Sequence, residues 1–219
     1  IGRLDTLVVS HADNDHRGGL DSLMGLLEIE RVLMSAPAPL PAGALPCARG
    51  QSWHWDGVQF DMLYPPAGET YRGNDSSCVL RIAAGEAVAL LSGDIERAAE
   101  AALLDVEGAG LASQVLIAPH HGSQSSSTEP FLAAVQPAFV LVSAGYRSQF
   151  GHPAPQVTRR YEQRGIAVWN TALSGALEFS LGAGQLREPS QYRIEQPRYW
   201  YGQAGAASRG RHGLCAALC

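Results

Sequence analysis

The sequence predicts an α/β domain, and three observations support this fold class. Short apolar runs of strand length alternate with segments in which apolar residues recur at helical spacing. Glycine and proline clusters separate the two kinds of segment. The chain has 219 residues, 46% of them hydrophobic and 17% charged, which is enough for the core of one substantial domain. We therefore expect an α/β domain over residues 1–184 and a C-terminal tail over residues 185–219 that is flexible or loosely packed.

The predicted elements begin with a strand that ends at Val9 and a helix with apolar residues from Leu20 to Leu27. The predicted strands that follow cover residues 29–34, a hairpin over 53–63 with its turn at Asp56-Gly57, a hairpin over 78–91 with its turn at Gly85-Glu86, and residues 114–118, 139–142 and 166–169. The predicted helices cover residues 96–106, 128–135 and 155–164.

Histidine and aspartate residues gather where these strands end. Of the seven histidines, five follow a predicted strand closely, namely His11, His16, His120, His121 and His152. Ligands of open α/β sheets bind at the carboxyl ends of strands, so these side chains indicate one shared site. His54 lies between two tryptophans of a hairpin and is predicted to be a packed or edge-strand histidine instead.

The densest of these strand ends is the segment from His11 to His16, which also contains Asp13 and Asp15. Imidazole together with carboxylate suits a divalent cation, and a second carboxylate can serve a second cation nearby. The alternative is an acidic turn that caps a helix. Asp94 repeats the pattern after Gly93, although a carboxylate at that point would also suit a helix N-cap.

Charge and cysteine content narrow the function classes. The formal net charge of −5 argues against bulk electrostatic binding of nucleic acid, but metal ions in a nuclease site can supply positive charge locally. Cys47 and Cys78 lie on either side of a predicted strand, and a disulfide between them would indicate an oxidising compartment. No stretch is apolar for long enough to cross a bilayer, so we expect no direct membrane insertion by this chain.

Five motifs occur in the order Ser10-His11-Ala12-Asp13-Asn14-Asp15-His16-Arg17-Gly18-Gly19, Asn74-Asp75-Ser76-Ser77, Ser92-Gly93-Asp94, Pro119-His120-His121-Gly122-Ser123 and Gly151-His152-Pro153. Together they resemble the metallo-β-lactamase fold, and within it the C-terminal domain of the ComEC family of DNA-uptake channel proteins. The resemblance covers roughly residues 3–180 and implies an αββα sandwich. It also leads us to expect that the opening strands of that fold are missing, with truncation just before Ile1.

The resemblance implies a role for each motif residue. His11 and Asp13 would hold one cation, Asp15 and His16 would help to hold a second, Asp94 would bridge both, and His152 matches the last histidine motif. Asp15 and His121 are the expected catalytic residues, with His121 either a general acid or a ligand. His120 and Asn74 are further candidate ligands. Ser123 and Ser125 could contact a phosphate, or belong to an ordinary polar loop.

One departure from the family pattern bears on the metal. Asp13 stands where most of the superfamily has histidine, so oxygen replaces imidazole at one position. Oxygen-rich sites favour manganese or magnesium, with zinc as the remaining candidate.

The resemblance implies a metal-dependent DNA nuclease with two divalent cations, which degrades the strand that is not imported during natural transformation. Single-stranded DNA is the favoured partner. The domain would belong to an inner-membrane protein, on the periplasmic side, beside the membrane channel of the same longer protein. Two alternatives stay open: a metallo-hydrolase of lactones, thioesters or small phosphodiesters, and a non-catalytic DNA-binding or channel-assembly module.

Overall fold

The computed structural model describes residues 2–35, 40–69, 71–182 and 186–199. The strands are β1 (Arg3–Val9), β2 (Glu28–Met34), β3 (Leu45–Pro46), β4 (Ser52–Trp55), β5 (Val58–Tyr64), β6 (Val79–Ala84), β7 (Ala87–Leu91), β8 (Val115–Ile117), β9 (Phe139–Val142), β10 (Ala167–Asn170), β11 (Leu177–Glu178) and β12 (Ser190–Gln191). The helices are α1 (Asn14–Arg17), α2 (Leu20–Leu26), α3 (Arg97–Glu107), α4 (Glu129–Val135), α5 (Pro155–Gln163), α6 (Thr171–Ser174) and α7 (Tyr192–Glu195).

Two sheets form the centre of the domain. The larger has seven strands in the order β10-β9-β8-β7-β6-β5-β4, and the smaller has three parallel strands in the order β1-β2-β3. Strands β4 to β7 are paired antiparallel, whereas β7 to β10 are parallel. Parallel neighbours need crossover connections, which α3, α4 and α5 supply, and so β7, β8 and β9 end at the same edge of the sheet.

Three apolar clusters divide the domain into layers. The largest joins the seven-stranded sheet to α3, α4 and α5 through side chains such as Leu90, Leu103 and Phe131. A second cluster, which contains Leu33 of β2 and Leu80 of β6, packs the two sheets against each other. A third packs α2 on the outer face of the small sheet. The order helix, sheet, sheet, helix is the αββα sandwich that the family resemblance implies.

The strands and hairpins predicted from the sequence are confirmed, with shifts of a residue or two at their ends. One local alternative is wrong: Asp94 does not cap α3, because the residue that precedes the first turn of that helix is Glu96. Thr128 precedes α4 as expected, but its side chain makes no capping hydrogen bond. The Thr128 amide instead donates to the buried carboxylate of Glu100, at 2.9 Å.

The disulfide between Cys47 and Cys78, which the sequence leaves open, is present, with the two Cα atoms 5.8 Å apart. It joins the segment after β3, the edge strand of the small sheet, to the residue before β6, an interior strand of the large sheet.

Within the predicted tail, β12 pairs with β11 and α7 follows it, so these described residues pack on the domain. The domain boundary at residue 184 stays a prediction. Residues 200–219, with His212, Cys215 and Cys219, lie outside the described residues. Among the described residues, no helix is both long and apolar enough to cross a membrane.

Candidate metal centre

The first predicted motif follows β1, where the chain turns into the short helix α1. His11 is 1% exposed, and Ser10 Oγ lies 3.3 Å from its Nδ1. The same hydroxyl lies 2.8 Å from His16 Nδ1. Ser10 therefore contacts the Nδ1 atoms of both imidazoles and leaves each Nε2 atom for the site. A polar partner on the second ring nitrogen is what normally orients a metal-binding histidine.

Asp94 follows β7 and is held in a tight backbone turn. Gly93 has φ of +54°, and a Cβ at this position would come within 2.8 Å of Ser77 Cβ and 3.0 Å of Ser10 Cβ. The Asp94 amide donates to Ser77 Oγ at 3.0 Å. Only glycine fits this turn without strain, and it brings the Asp94 carboxylate beside the histidines of the first motif.

His121 comes from the turn that follows β8. His120 and His121 both have positive φ, at 46° and 54°. The His120 amide donates to the carbonyl of Gly93 at 3.1 Å, which ties this turn to the Asp94 turn. His121 Nε2 then lies 3.3 Å from Asp15 Oδ2 and 3.4 Å from Asp94 Oδ2.

These turns bring four side chains together: one ligand atom each from Asp15, His16, Asp94 and His121 lies within 4.8 Å of all the others. His16 Nε2 is 3.2 Å from Asp94 Oδ1. His11, outside this cluster of four, also approaches Asp94: its Nε2 atom is 3.9 Å from Asp94 Oδ2, the oxygen that lies 3.4 Å from His121 Nε2. Asp94 is therefore common to two groups of potential ligands.

Asp13 belongs to the second group. Its Oδ2 atom is 3.5 Å from His11 Nε2. Its side chain is largely exposed, in contrast to that of His11. A cation between these two residues would therefore meet one buried imidazole and one carboxylate open to solvent.

Burial and charge set the protonation of these groups. Burial, reinforced by the charge of His16, lowers the pKa of His11. Burial acts on His16 in the same direction, but the hydrogen bond and the charge of Asp94 outweigh it and raise the pKa of His16. For Asp94, burial opposes ionisation, yet the hydrogen bond to His16 and the nearby charges of His121 and His16 lower its pKa. These shifts favour an ionised Asp94 carboxylate and a neutral His11 imidazole.

The residues present fit a divalent cation. His11 Nε2 is buried and has no hydrogen-bond partner among the described residues. A buried nitrogen without a partner is costly, and a neutral imidazole in this state is a metal ligand by preference. Three histidines and three carboxylates are a suitable donor set for zinc, manganese or a similar ion.

His120 and Asn74 were two further candidate ligands. Both side chains contact the carboxylate of Glu96 and do not join the cluster of Asp15, His16, Asp94 and His121. His120 Nδ1 lies 2.9 Å from Glu96 Oε1, and Asn74 Nδ2 donates to the same oxygen at 3.2 Å. Ser125 also donates to that oxygen, at 2.8 Å, and Ser123 Oγ lies 3.0 Å from Ser125 Oγ. The two serines considered for phosphate contact thus already have hydrogen-bond partners within the protein.

His152 lies at the rim of the cluster. Its ring centroid is 6.4 Å from that of His121, and its buried Nδ1 has no hydrogen-bond partner among the described residues. Burial, followed by the charges of His120 and His121, lowers its pKa. A ligand role for His152 stays a prediction.

Two site residues were missed by sequence reasoning. Glu96 was assigned only to the start of a helix, although it stands two residues after Asp94 at the same strand end. Ser10 was taken only as part of the first motif, although its position directly before His11 was the available signal.

Residues 1–145 match the family model of the metallo-beta-lactamase superfamily. The chain belongs to the metallo-beta-lactamase superfamily. A solved structure, CmlA, a diiron beta-hydroxylase from Streptomyces venezuelae, shares the fold at a TM-score of 0.53 and 13% identity, over 87% of this chain and 45% of that one.

Within the superfamily, this chain is similar to competence proteins. It is 41% identical over 187 residues to competence protein ComA of Neisseria gonorrhoeae. The aligned region covers 85% of this chain and 27% of that protein. It is 31% identical over 213 residues to recombination protein 2 of Haemophilus influenzae. The aligned region covers 94% of this chain and 26% of that protein. The chain therefore spans about a quarter of the length of these relatives, and the predicted resemblance to competence proteins is confirmed.

Proposed function

We propose that this domain is a metal-dependent nuclease that hydrolyses phosphodiester bonds of DNA. The observation that carries the proposal is the sharing of Asp94 between two groups of potential ligands, because a shared carboxylate is what a pair of neighbouring cations requires. The similarity to competence proteins supports DNA as the substrate.

We assign each residue of the metal centre a role in holding one of two cations. His11, Asp13 and Asp94 hold one cation, and Asp15, His16, His121 and Asp94 hold the other. Divalent cations bound there would supply Lewis-acid stabilisation of charge on the phosphodiester, which an acidic chain cannot supply by itself. Ser10 orients the two imidazoles of the first motif, and the Gly93 turn holds the shared carboxylate against them.

For His121, the geometry supports a ligand role over the general-acid role. Its Nε2 atom lies within 3.4 Å of one oxygen of each of two carboxylates, Asp15 and Asp94, as expected for atoms that share a cation. A ligand at this position predicts that His121→Ala loses metal together with activity. Full metal content in an inactive His121→Ala protein would instead support the acid.

We further propose that the domain acts outside the cytoplasm, as part of a longer inner-membrane protein with a DNA channel. The Cys47–Cys78 disulfide supports this location, because disulfides persist in oxidising compartments. In that setting the substrate would be the DNA strand that is not imported, and single-stranded DNA is the favoured form.

The test is digestion of end-labelled single-stranded and double-stranded DNA with added manganese, magnesium or zinc. Asp94→Asn keeps the side-chain shape and removes the shared charge, so it should lose both bound metal and cleavage. Asp105→Asn, which changes an exposed carboxylate of α3, is the matched control and should keep both.

The outcomes separate the alternatives. Parental cleavage in Asp94→Asn would overturn the proposal. Turnover of esters with zinc, without any cut in DNA, would favour a small-molecule hydrolase. DNA binding by a protein that takes up no metal would favour a non-catalytic module.

A further inference from the structure

The loop between β9 and α5 presents two exposed aromatic side chains beside the metal centre. Tyr146 is 50% exposed and Phe150 is 72% exposed. A single exposed aromatic residue needs no explanation, but two within five residues on one loop form a surface of their own. We refer to Tyr146 and Phe150 as the aromatic rim.

Neighbouring ring contacts connect the aromatic rim to the ligand cluster. The ring of Phe150 lies 6.1 Å from that of His152, with 14° between their planes. The ring of His152 lies 6.4 Å from that of His121, with 25° between their planes. The His152 ring thus lies next to both Phe150 and the candidate metal ligand His121.

Positive charge accompanies the other member of the rim. The guanidinium carbon of Arg147 lies 5.3 Å from the centre of the Tyr146 ring, and that of Arg193 lies 5.8 Å from it. This contrasts with the net charge of −5 of the whole chain. Exposed aromatic faces beside arginines are the combination that binds single-stranded nucleic acid, in which bases stack on rings and phosphates meet the cations.

We propose that Tyr146 and Phe150 stack against nucleobases of a single-stranded nucleic acid whose backbone crosses the metal centre. This inference rests on the proposed nuclease function and names how its substrate is recognised. In a duplex the base faces are covered by their neighbours, so a stacking rim selects single strands. Recognition through base faces tolerates any sequence, because every base has such a face.

The test compares two fluorescently labelled strands of equal length and charge: an oligothymidylate, and a strand in which every base is replaced by an abasic site. Binding is measured by fluorescence anisotropy with the 219-residue chain. Phe150→Leu removes the aromatic face and keeps an apolar side chain. It should weaken binding of the oligothymidylate by about 5-fold to about 150-fold, the usual range for one stacked base. Binding of the abasic strand should be unchanged.

Two further variants serve as controls. Phe150→Tyr keeps the ring and should bind the oligothymidylate like the parent. Trp55→Leu removes an exposed aromatic residue of β4, at the edge of the large sheet opposite β10, and should also bind like the parent. Phe150 and Trp55 are both exposed, so the three variants should fold like the parent, and circular dichroism checks this.

The outcomes of these binding and cleavage measurements distinguish the stacking role from the proposed nuclease function. Unchanged oligothymidylate binding in Phe150→Leu, or an equal loss for both strands, would overturn the stacking role. If the parent nevertheless cleaves DNA with added metal, the proposed nuclease function stands and only the inference fails. A parent that neither binds nor cleaves DNA would overturn both.

Discussion

The Cys47–Cys78 disulfide should contribute a large share of the stability of this domain. The two cysteines are 31 residues apart in sequence, and the cross-link removes the entropy of that loop from the unfolded chain. The chain-entropy relation gives a stabilisation of about 3.7 kcal/mol for a loop of this length at 25 °C. The free energy of unfolding of a whole domain is usually only about 5 to 15 kcal/mol.

The measurement is urea unfolding followed by tryptophan fluorescence, with and without dithiothreitol. Reduction should lower the free energy of unfolding by about 3 to 4 kcal/mol with little other change, because both sulfur atoms stay in the protein. Replacing Cys215 and Cys219 by serine in the starting protein confines the effect to one disulfide. In that background, Cys47→Ala/Cys78→Ala is the control, since its unfolding must not respond to dithiothreitol.

The result that would refute the reasoning is a loss below about 1 kcal/mol on reduction. Such a loss would mean that the unfolded chain is already restricted, or that buried contacts hold the two sheets together without the cross-link. Both cysteines are only 3% exposed and belong to the apolar cluster between the sheets, so the second explanation has a structural basis. Two free thiols under denaturing conditions, counted at these positions, would remove the premise itself.

Three other changes test the site and its support. Gly93→Ala should lower the free energy of unfolding by about 2 kcal/mol or more and weaken metal binding, because the left-handed backbone costs about 1 to 2 kcal/mol and the new Cβ also meets Ser77. Gly85→Ala, with φ of +63° and nothing within 4 Å of the new Cβ, should lose only the backbone part. Burial raises the pKa of Glu100, so the unfolded chain ionises first and this carboxyl lowers stability as pH rises above about 4.3. The stability difference between the parent and Glu100→Gln, measured by urea unfolding at several pH values, should therefore shrink as pH rises, and a constant difference would contradict this account. Asp13→His should shift affinity toward zinc in a competition titration, unless the parent already prefers zinc at equal concentration.

Much of the fold could be predicted because its signals are local. The hairpins are marked by Asp56-Gly57 and Gly85-Glu86 between apolar runs, and both turns occur where expected. The parallel strands are apolar runs between helical segments, which indicates an α/β fold, whereas the αββα architecture was implied by the family resemblance. The pairing of β11 with β12 carries no such pattern, because each strand has two residues and their contact depends on α6 and α7.

The composition of the site was harder to predict than its location. Strand-end positions correctly indicated which loops would meet, since β7, β8 and β9 end at one edge of the sheet. They do not indicate the direction of a side chain within a turn. His120 and His121 are neighbours, yet His120 meets Glu96 whereas His121 meets Asp15 and Asp94.

The reason lies in the backbone of that turn, where both histidines have positive φ, a conformation that non-glycine residues adopt only under constraint. The constraint comes from other loops. The His120 amide is tied to the Gly93 carbonyl, and a Cβ on Gly122 would come within 2.7 Å of Pro153 Cβ. The direction of His121 is therefore set jointly by the Asp94 turn and by the loop that carries His152. A ligand cluster of this kind forms only when the whole sandwich has folded, so loss of either tie should disperse the site without removing any ligand.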